Sequence, residues 1–312
     1  MKLLNEILGT KYPIIQGGMA NIATGEFAAA CSNAGALGLI GAGGMNPETL
    51  RENIRQCRRL TDKPFGVNIM LMHPQADEFA QIVIDEGVKI VTTGAGNPGK
   101  YMAAWKAAGI TVIPVVAAAV LARHLAPLGI DAVIAEGTES GGHVGELTTI
   151  VLTPQIVDAV DIPVIAAGGI GDGRGVAAAL LLGAVGVQLG TRFLVAEECG
   201  VHENYKKKVL AANDIATMTT GKRLGHPVRS LKNPFSRAYL KAEYSDISDE
   251  ELEAMGTGSL YRAAVEGDEK TGSFLAGQIA AIVNKEQPAA EIIREIFEEA
   301  ETVLNGAKKW VK

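Results

Sequence analysis

Eight short apolar runs rich in β-branched residues recur along the chain: PIIQGG (13–18), LGLIGAG (37–43), FGVNIML (65–71), KIVTTGA (89–95), TVIPVV (111–116), AVIAEG (132–137), PVIAAGG (163–169) and VGVQLGTRF (185–193). Each is continuous rather than alternating, as expected of strands covered on both faces. Between them lie segments of helical character, among them EFAAACSNAG, PETLRENIRQCRRL, ADEFAQIVIDEG and GVAAALLLG. Several end in glycine, the residue that most easily takes the left-handed turn closing a helix. The runs begin every 21 to 31 residues. Eight such units predict an α/β fold with a parallel (β/α)8 TIM barrel, with a doubly wound sheet as the alternative.

The alternation breaks after Phe193. Residues 200–270 hold no further strand-helix unit; they carry a basic stretch and then the acidic SDISDEELEAMG. Helical character returns with SFLAGQIAAIVNKE and with AAEIIREIFEEAETVL, whose apolar residues recur at three and four. The expected organisation is a barrel formed by 1–199 and 271–312. Residues 200–270 would be a helical cap inserted between strand eight and the last barrel helix.

Composition narrows the class. Glycine is abundant at 37 of 312 residues, while aromatics make up only 5%. That suits many tight strand-to-helix turns and backbone lying close to a ligand. The longest apolar stretch, ITVIPVVAAAVLA, carries Pro114 and reads as a strand leading into a helix. Neither a membrane span nor a signal peptide is expected. Cys31, Cys57 and Cys199 are odd in number and widely spaced, with neither a disulfide framework nor metal-ligand spacing, so a reducing cytoplasm is expected. The net charge of −6 is uneven: Tyr205–Lys241 carries nine basic residues against Asp214, a local +8 that leaves −14 elsewhere. Such a segment is either a surface compensated by nearby acids or a field that steers an acidic partner or a phosphorylated ligand. It lacks interleaved aromatics or any binding motif that would indicate nucleic acid.

The chemistry of a barrel sits at the C-terminal ends of its strands. Here those ends are polar or glycine-rich: Gln16-Gly17-Gly18-Met19, Asn68, Thr92-Thr93-Gly94, Glu136-Gly137, Gly168-Gly169 and Gly190-Thr191. AAGGIGDGRG after strand seven and GTRF after strand eight are suited to phosphate, through backbone N–H groups and a helix N-terminus. EGTESGGHVGE (136–146) places one imidazole, His143, in a glycine-rich loop with no helical period to bury it. That position suits proton or hydrogen-bond chemistry near neutral pH. Glu136 would bond a ligand hydroxyl or cap the loop. His73 and His226 are further candidates for the mouth, whereas His124 and His202 read as surface or packing residues. On these residues alone, a flavin-free isomerase or lyase of phosphorylated sugars remains open.

The motifs PIIQGGMA, KPFGVNIMLM, VTTGAGNP, DAVIAEGTESGGH, IPVIAAGGIGDGRG, VQLGTRF, GHPVR and GSFLAGQIA run in order from residue 13 to about 284. They resemble the flavin-dependent family that joins nitronate monooxygenases and type II enoyl-acyl-carrier-protein reductases. The resemblance implies FMN in a TIM barrel, with its phosphate at the strand-seven and strand-eight loops and His143 as the active-site histidine. Flavin contacts would come from Asn68, Glu136, Gly141, Gly142, Ala167, Gly168, Gly169, Gly190 and Thr191, with Gln16, Gly17, Gly18, Met19 and Gln188 on the ring side. Nitronate monooxygenases of the family typically carry glutamine in a QGxEAGGH pattern, where this chain has Glu136. GVNIML and TTGAGNP are like the reductases. That branch implies reduction of trans-2-enoyl thioesters by NADH or NADPH, with a monovalent cation as an optional addition. Its partner would be an acidic acyl carrier protein meeting the basic 205–241 stretch. The monooxygenase is the alternative function. The family often has tryptophan after GGMA, where Asn21 stands here, so the pocket beside Met19 differs. A homodimer is expected by analogy with other barrels.

Overall fold

Each continuous apolar run splits its residues between two environments. Ile15, Leu39, Ile113, Ile134 and Ile165 point into one interior cluster, while their neighbours Ile14, Ile40, Val112, Val133 and Val164 face clusters outside it. That is what the two-residue period of a strand gives when both faces are covered. The computed structural model describes residues 2–310. Its barrel strands are Ile14–Gln16, Gly38–Gly41, Phe65–Met70, Ile90–Gly94, Thr111–Val116, Val133–Glu136, Val164–Ala167 and Gly186–Leu189. The second to the eighth pair in parallel with their sequence neighbours, and the first pairs with the eighth in the register Ile14↔Val187 and Gln16↔Leu189. The ring closes where the Gln16 N–H donates to the Leu37 carbonyl and the Leu37 N–H to the Ile14 carbonyl, both at 2.9 Å. This is the TIM barrel expected from the sequence.

The short helix Leu4–Leu8 plugs the N-terminal end of the barrel. Leu4 is fully buried in the interior cluster, and its N–H donates to the Val185 carbonyl at 2.8 Å. Gly186 is required there, because a Cβ would lie 2.6 Å from the Leu4 side chain. Helices Pro47–Leu60, Ala76–Asp85, Gly173–Leu181 and Ala289–Gly306 ring the outside. The last packs closely on Gly173, where a Cβ would sit 2.5 Å from the Ile296 carbonyl.

Two expectations need correction. Residues 200–270 do carry the helices Glu203–Leu210, Pro234–Glu243, Asp249–Gly256 and Ser259–Ala264, but also a β-hairpin, Thr217–Thr220 with Val228–Leu231. The sequence hid it because Thr217–Thr220 has little apolar content and Gly221–Pro227 reads as an ordinary loop. The hairpin adds Gly142–His143 as a third, antiparallel strand. The segment SFLAGQIAAIVNKE is not a regular helix: its ordered part is the 3-10 turn Gln278–Ile282.

Candidate active site

The strand ends converge on a cavity of about 850 Å³ at the C-terminal mouth of the barrel. Gly17, Gly18, Met19, Asn68, Glu136, Gly141, Gly142, His143, Ala167, Gly168, Gly169, Gln188, Gly190 and Thr191 all line it. Gln16 does not. It is fully buried: its carboxamide oxygen accepts from the Leu39 N–H at 3.0 Å, and its amide donates to the Gly17 carbonyl. Gln16 therefore ties the closing seam of the barrel rather than facing a ligand. His73 also stays outside, capping a turn through the Gln75 N–H and stacking on Phe79 at 4.8 Å.

Four polar lining side chains go beyond the sequence expectation. His124 and Asn97 lie at the rim, with their nitrogens 3.3 Å apart. Glu139 and Ser140 come from within the EGTESGGH loop. Their proximity to Glu136 was the available signal, but one loop does not reveal which of its side chains turn inward.

The phosphate-suited side is built mostly from backbone. Gly168 and Gly169 have φ of 86° and 66°, which only glycine takes without strain. A Cβ on Gly168 would lie 2.7 Å from the Gly137 carbonyl. The Thr149 hydroxyl lies 2.8 Å from the Gly168 carbonyl, which it can hold in place. Across from it, the Thr191 hydroxyl accepts the Gly277 N–H at 2.9 Å and keeps its own proton to donate. The helix N-terminus expected to help is already occupied. Asp172 accepts the Arg174 and Gly175 N–H groups, and Glu299 accepts that of Gly173 at 2.7 Å. That helix end is therefore closed to an anion.

The floor is polar. Asn68 is oriented from both ends: its oxygen accepts the Thr92 hydroxyl at 2.8 Å, and one amide proton goes to the Gly18 carbonyl at 3.0 Å. The second amide proton is left for a ligand. Burial pushes the Glu136 carboxyl up to about 7, with the Ser140 hydroxyl beside it opposing the shift. Near neutral pH this group is thus part protonated and able to donate. Asn21 takes φ 59°, a left-handed conformation that asparagine tolerates better than most side chains.

The opposite wall is His143. It is exposed to the cavity mouth, and its loop is stitched to the hairpin. His143 pairs with Val228 and Gly142 with Arg229, and the Val144 N–H donates to the Pro227 carbonyl at 3.0 Å. Arg229 is buried beneath and reaches the Thr138 carbonyl with Nε at 3.1 Å. Desolvation by the surrounding protein, and then the nearby His226, hold the His143 pKa below its usual value. The ring is therefore mainly neutral at pH 7.

The family model described as nitronate monooxygenase matches residues 1–299. The chain belongs to that family. Its structure resembles FabK from Thermotoga maritima with 47% identity, complete coverage of both chains and a TM-score of 0.97. A probable nitronate monooxygenase of Staphylococcus saprophyticus is 32% identical over 98% of this chain and all of its own length. An octahydro-indene carboxyl-CoA dehydrogenase of Rhodococcus jostii is 42% identical, over 73% of this chain and 65% of that one. The family's branches are FMN-dependent oxidoreductases, and so is this chain. The cavity suits that cofactor: the left-handed glycine pair presents bare backbone, and the Thr191 hydroxyl presents a donor, to the same space. The Ser140 hydroxyl is buried, borders the cavity and lies beside the Glu136 carboxyl. No cluster of possible metal ligands occurs among the described residues, and no helix among them is long and apolar enough to cross a membrane.

Proposed function

We propose that the protein is an enoyl-acyl-carrier-protein reductase that uses FMN and NADH or NADPH. The observation that carries this is its end-to-end match to FabK, the type II enoyl reductase. FMN, held in the cavity, would supply the hydride chemistry that links the nicotinamide to the enoyl double bond. We assign the rest to this chain's own groups. Gly168, Gly169, Gly190 and Thr191 would hold the phosphate. Asn68, Glu136 and Gln188, with the backbone of Gly17, Gly18, Gly141 and Gly142, would set the ring in the cavity. Met19 and Ala167 supply apolar contact. His143 would donate a hydrogen bond from its neutral ring to the thioester oxygen, where negative charge builds as the double bond is reduced. A neutral donor suits this site, since an imidazolium is disfavoured in a wall that already lowers its pKa. The partner is an acidic acyl carrier protein drawn by the basic 205–241 stretch.

The deciding experiment is NADH and NADPH oxidation by the purified protein with crotonyl-acyl-carrier-protein, with and without oxygen. Oxidation that needs the thioester and persists without oxygen is expected. His143→Ala should lower kcat by roughly 10²–10³ while keeping the flavin absorbance; full turnover with bound flavin would refute the histidine assignment. The second reading, a nitronate monooxygenase, is favoured by the family description and the staphylococcal relative. Oxygen uptake with a nitronate, and no thioester-dependent oxidation, would select it.

A further inference from the structure

The nine basic residues of 205–241 are not equivalent. Lys206 is buried and paired with Glu286 at 2.6 Å, and Arg229 is buried under the His143 loop. Arg223 pairs with Asp249 at 2.8 Å and holds the Ser245 and Ile247 carbonyls. These three are structural. Lys207, Lys222, Lys232, Arg237 and Lys241 are exposed and make no ion pair with any described carboxylate.

Two of those uncompensated charges, Lys232 and Arg237, share a groove with Lys208. The groove encloses about 430 Å³ and lies at the base of the hairpin, away from the main cavity. Its apolar lining includes Ala211, Leu231 and Ile215, and Ile215 is 67% exposed. Lys208 already carries one carboxylate, Glu269 at 3.1 Å, and extends over the Phe274 ring. The Lys232 N–H donates to the Ala216 carbonyl at 2.7 Å, which closes the base of the hairpin. At its other end, Gly225, His226 and Pro227 line the catalytic cavity. The four-residue strands between span about 13 Å, less than an extended phosphopantetheine arm.

We infer that this groove docks an acidic amphipathic helix of the carrier protein that bears the thioester. An apolar side chain would cover Ile215 and the small-residue floor, and carboxylates would meet Lys232 and Arg237. The hairpin would then set the distance from docked carrier to His143. Charge complementarity commits the occupant: a neutral or basic partner would leave two cations desolvated without compensation. The inference rests on the enoyl reductase reading above.

The test uses the flavin-loaded enzyme and two substrates, crotonyl-acyl-carrier-protein and crotonyl-pantetheine, which has the reactive group but neither carrier nor phosphate. In the double variant Lys232→Glu/Arg237→Glu, the KM for the carrier substrate should rise at least about tenfold with kcat unchanged. Kinetics with crotonyl-pantetheine should stay as in wild type, which also reports that the variant is folded. Added salt should raise the wild-type KM for the carrier and leave the variant's nearly flat. If the reversed charges disturb folding, Lys232→Gln/Arg237→Gln gives the same comparison with a smaller change. An unchanged carrier KM overturns the docking site, and so does equal loss with both substrates. Wild-type enzyme that reduces neither thioester would overturn the enoyl reductase reading itself, a result visible before any variant is made.

Discussion

The two walls of the cavity are held by different means. On the strand-seven and strand-eight side the contacts are mostly backbone, half-buried and close in sequence to the barrel: Gly168 and Gly169 at positive φ, with the Thr191 hydroxyl anchored to Gly277. On the other side His143 is exposed and sits on a two-residue strand. It is held by a hairpin some 85 residues further along the chain. The first wall belongs to the barrel and suits a phosphate whatever reaction follows. The second exists only because the insertion folds back on the Glu136–Glu146 loop. On the proposed function, the barrel wall would keep the cofactor while the insertion shapes the substrate side. This fits a family whose members are named both as monooxygenases and as dehydrogenases of thioesters.

Breaking the first wall should have the largest effect. Gly168→Val puts a β-branched side chain at φ 86°, with its Cβ 2.7 Å from the Gly137 carbonyl. Strain of about 1–3 kcal/mol is expected, enough to weaken flavin binding by roughly ten- to a hundredfold. The protein should purify nearly colourless, and flavin titration measures the loss. A yellow protein with ordinary affinity would show that the cradle lies elsewhere.

Breaking the second wall should spare the cofactor. Arg229→Ala removes the donors that reach the Thr138 carbonyl and the Thr217 hydroxyl. The half-buried carbonyl left behind costs about 1 kcal/mol, and the His143 loop loses its support. Turnover should fall by about tenfold as His143 drifts from its position, with flavin content unchanged. Arg229→Lys should restore only part, since one ammonium cannot span both acceptors as the guanidinium does. Loss of flavin in Arg229→Ala would instead tie the two walls into one unit.

The same contrast explains what could be read from the chain alone. The strands were legible because burial on both faces leaves continuous apolar runs such as PVIAAGG, and the glycine wall because positive φ demands glycine locally. Gln16 looked like a ligand group since it stands at a strand end beside two glycines. Only the ring closure, which brings Leu39 alongside, shows that its carboxamide is spent on the seam. The hairpin was illegible for the opposite reason: Thr217–Thr220 gains its strand character from pairing with Val228–Leu231 and, through it, with His143. Likewise GDGRG looked like a free helix N-terminus, yet Glu299 arrives from the distant last helix to occupy it. The sign of a local motif was readable, but its availability depended on long-range partners.

An effect on stability rather than on turnover tests the floor that both walls share. The folded-state pKa of Glu136 is raised from 4.5 to about 7, chiefly by burial. Protons are thus bound more tightly in the folded state. The group's contribution is fully present below the unfolded pKa and is lost as pH rises through the folded one. In flavin-stripped protein, stability should therefore decline between about pH 4.5 and 7 and level off above. The full shift corresponds to at most about 3 kcal/mol. Glu136→Gln keeps the shape and removes the charge, so it should flatten that slope and make the stripped protein more stable than wild type at pH 8. Denaturant melts of both proteins at pH 5 and pH 8 measure the difference. If the two proteins respond alike to pH, Glu136 is solvated in the absence of flavin, and its carboxyl acts as a charged acceptor rather than a donor to the ring. A flattened slope would make it the proton-bearing member of the floor, set between a phosphate wall that needs no proton and a histidine that stays neutral.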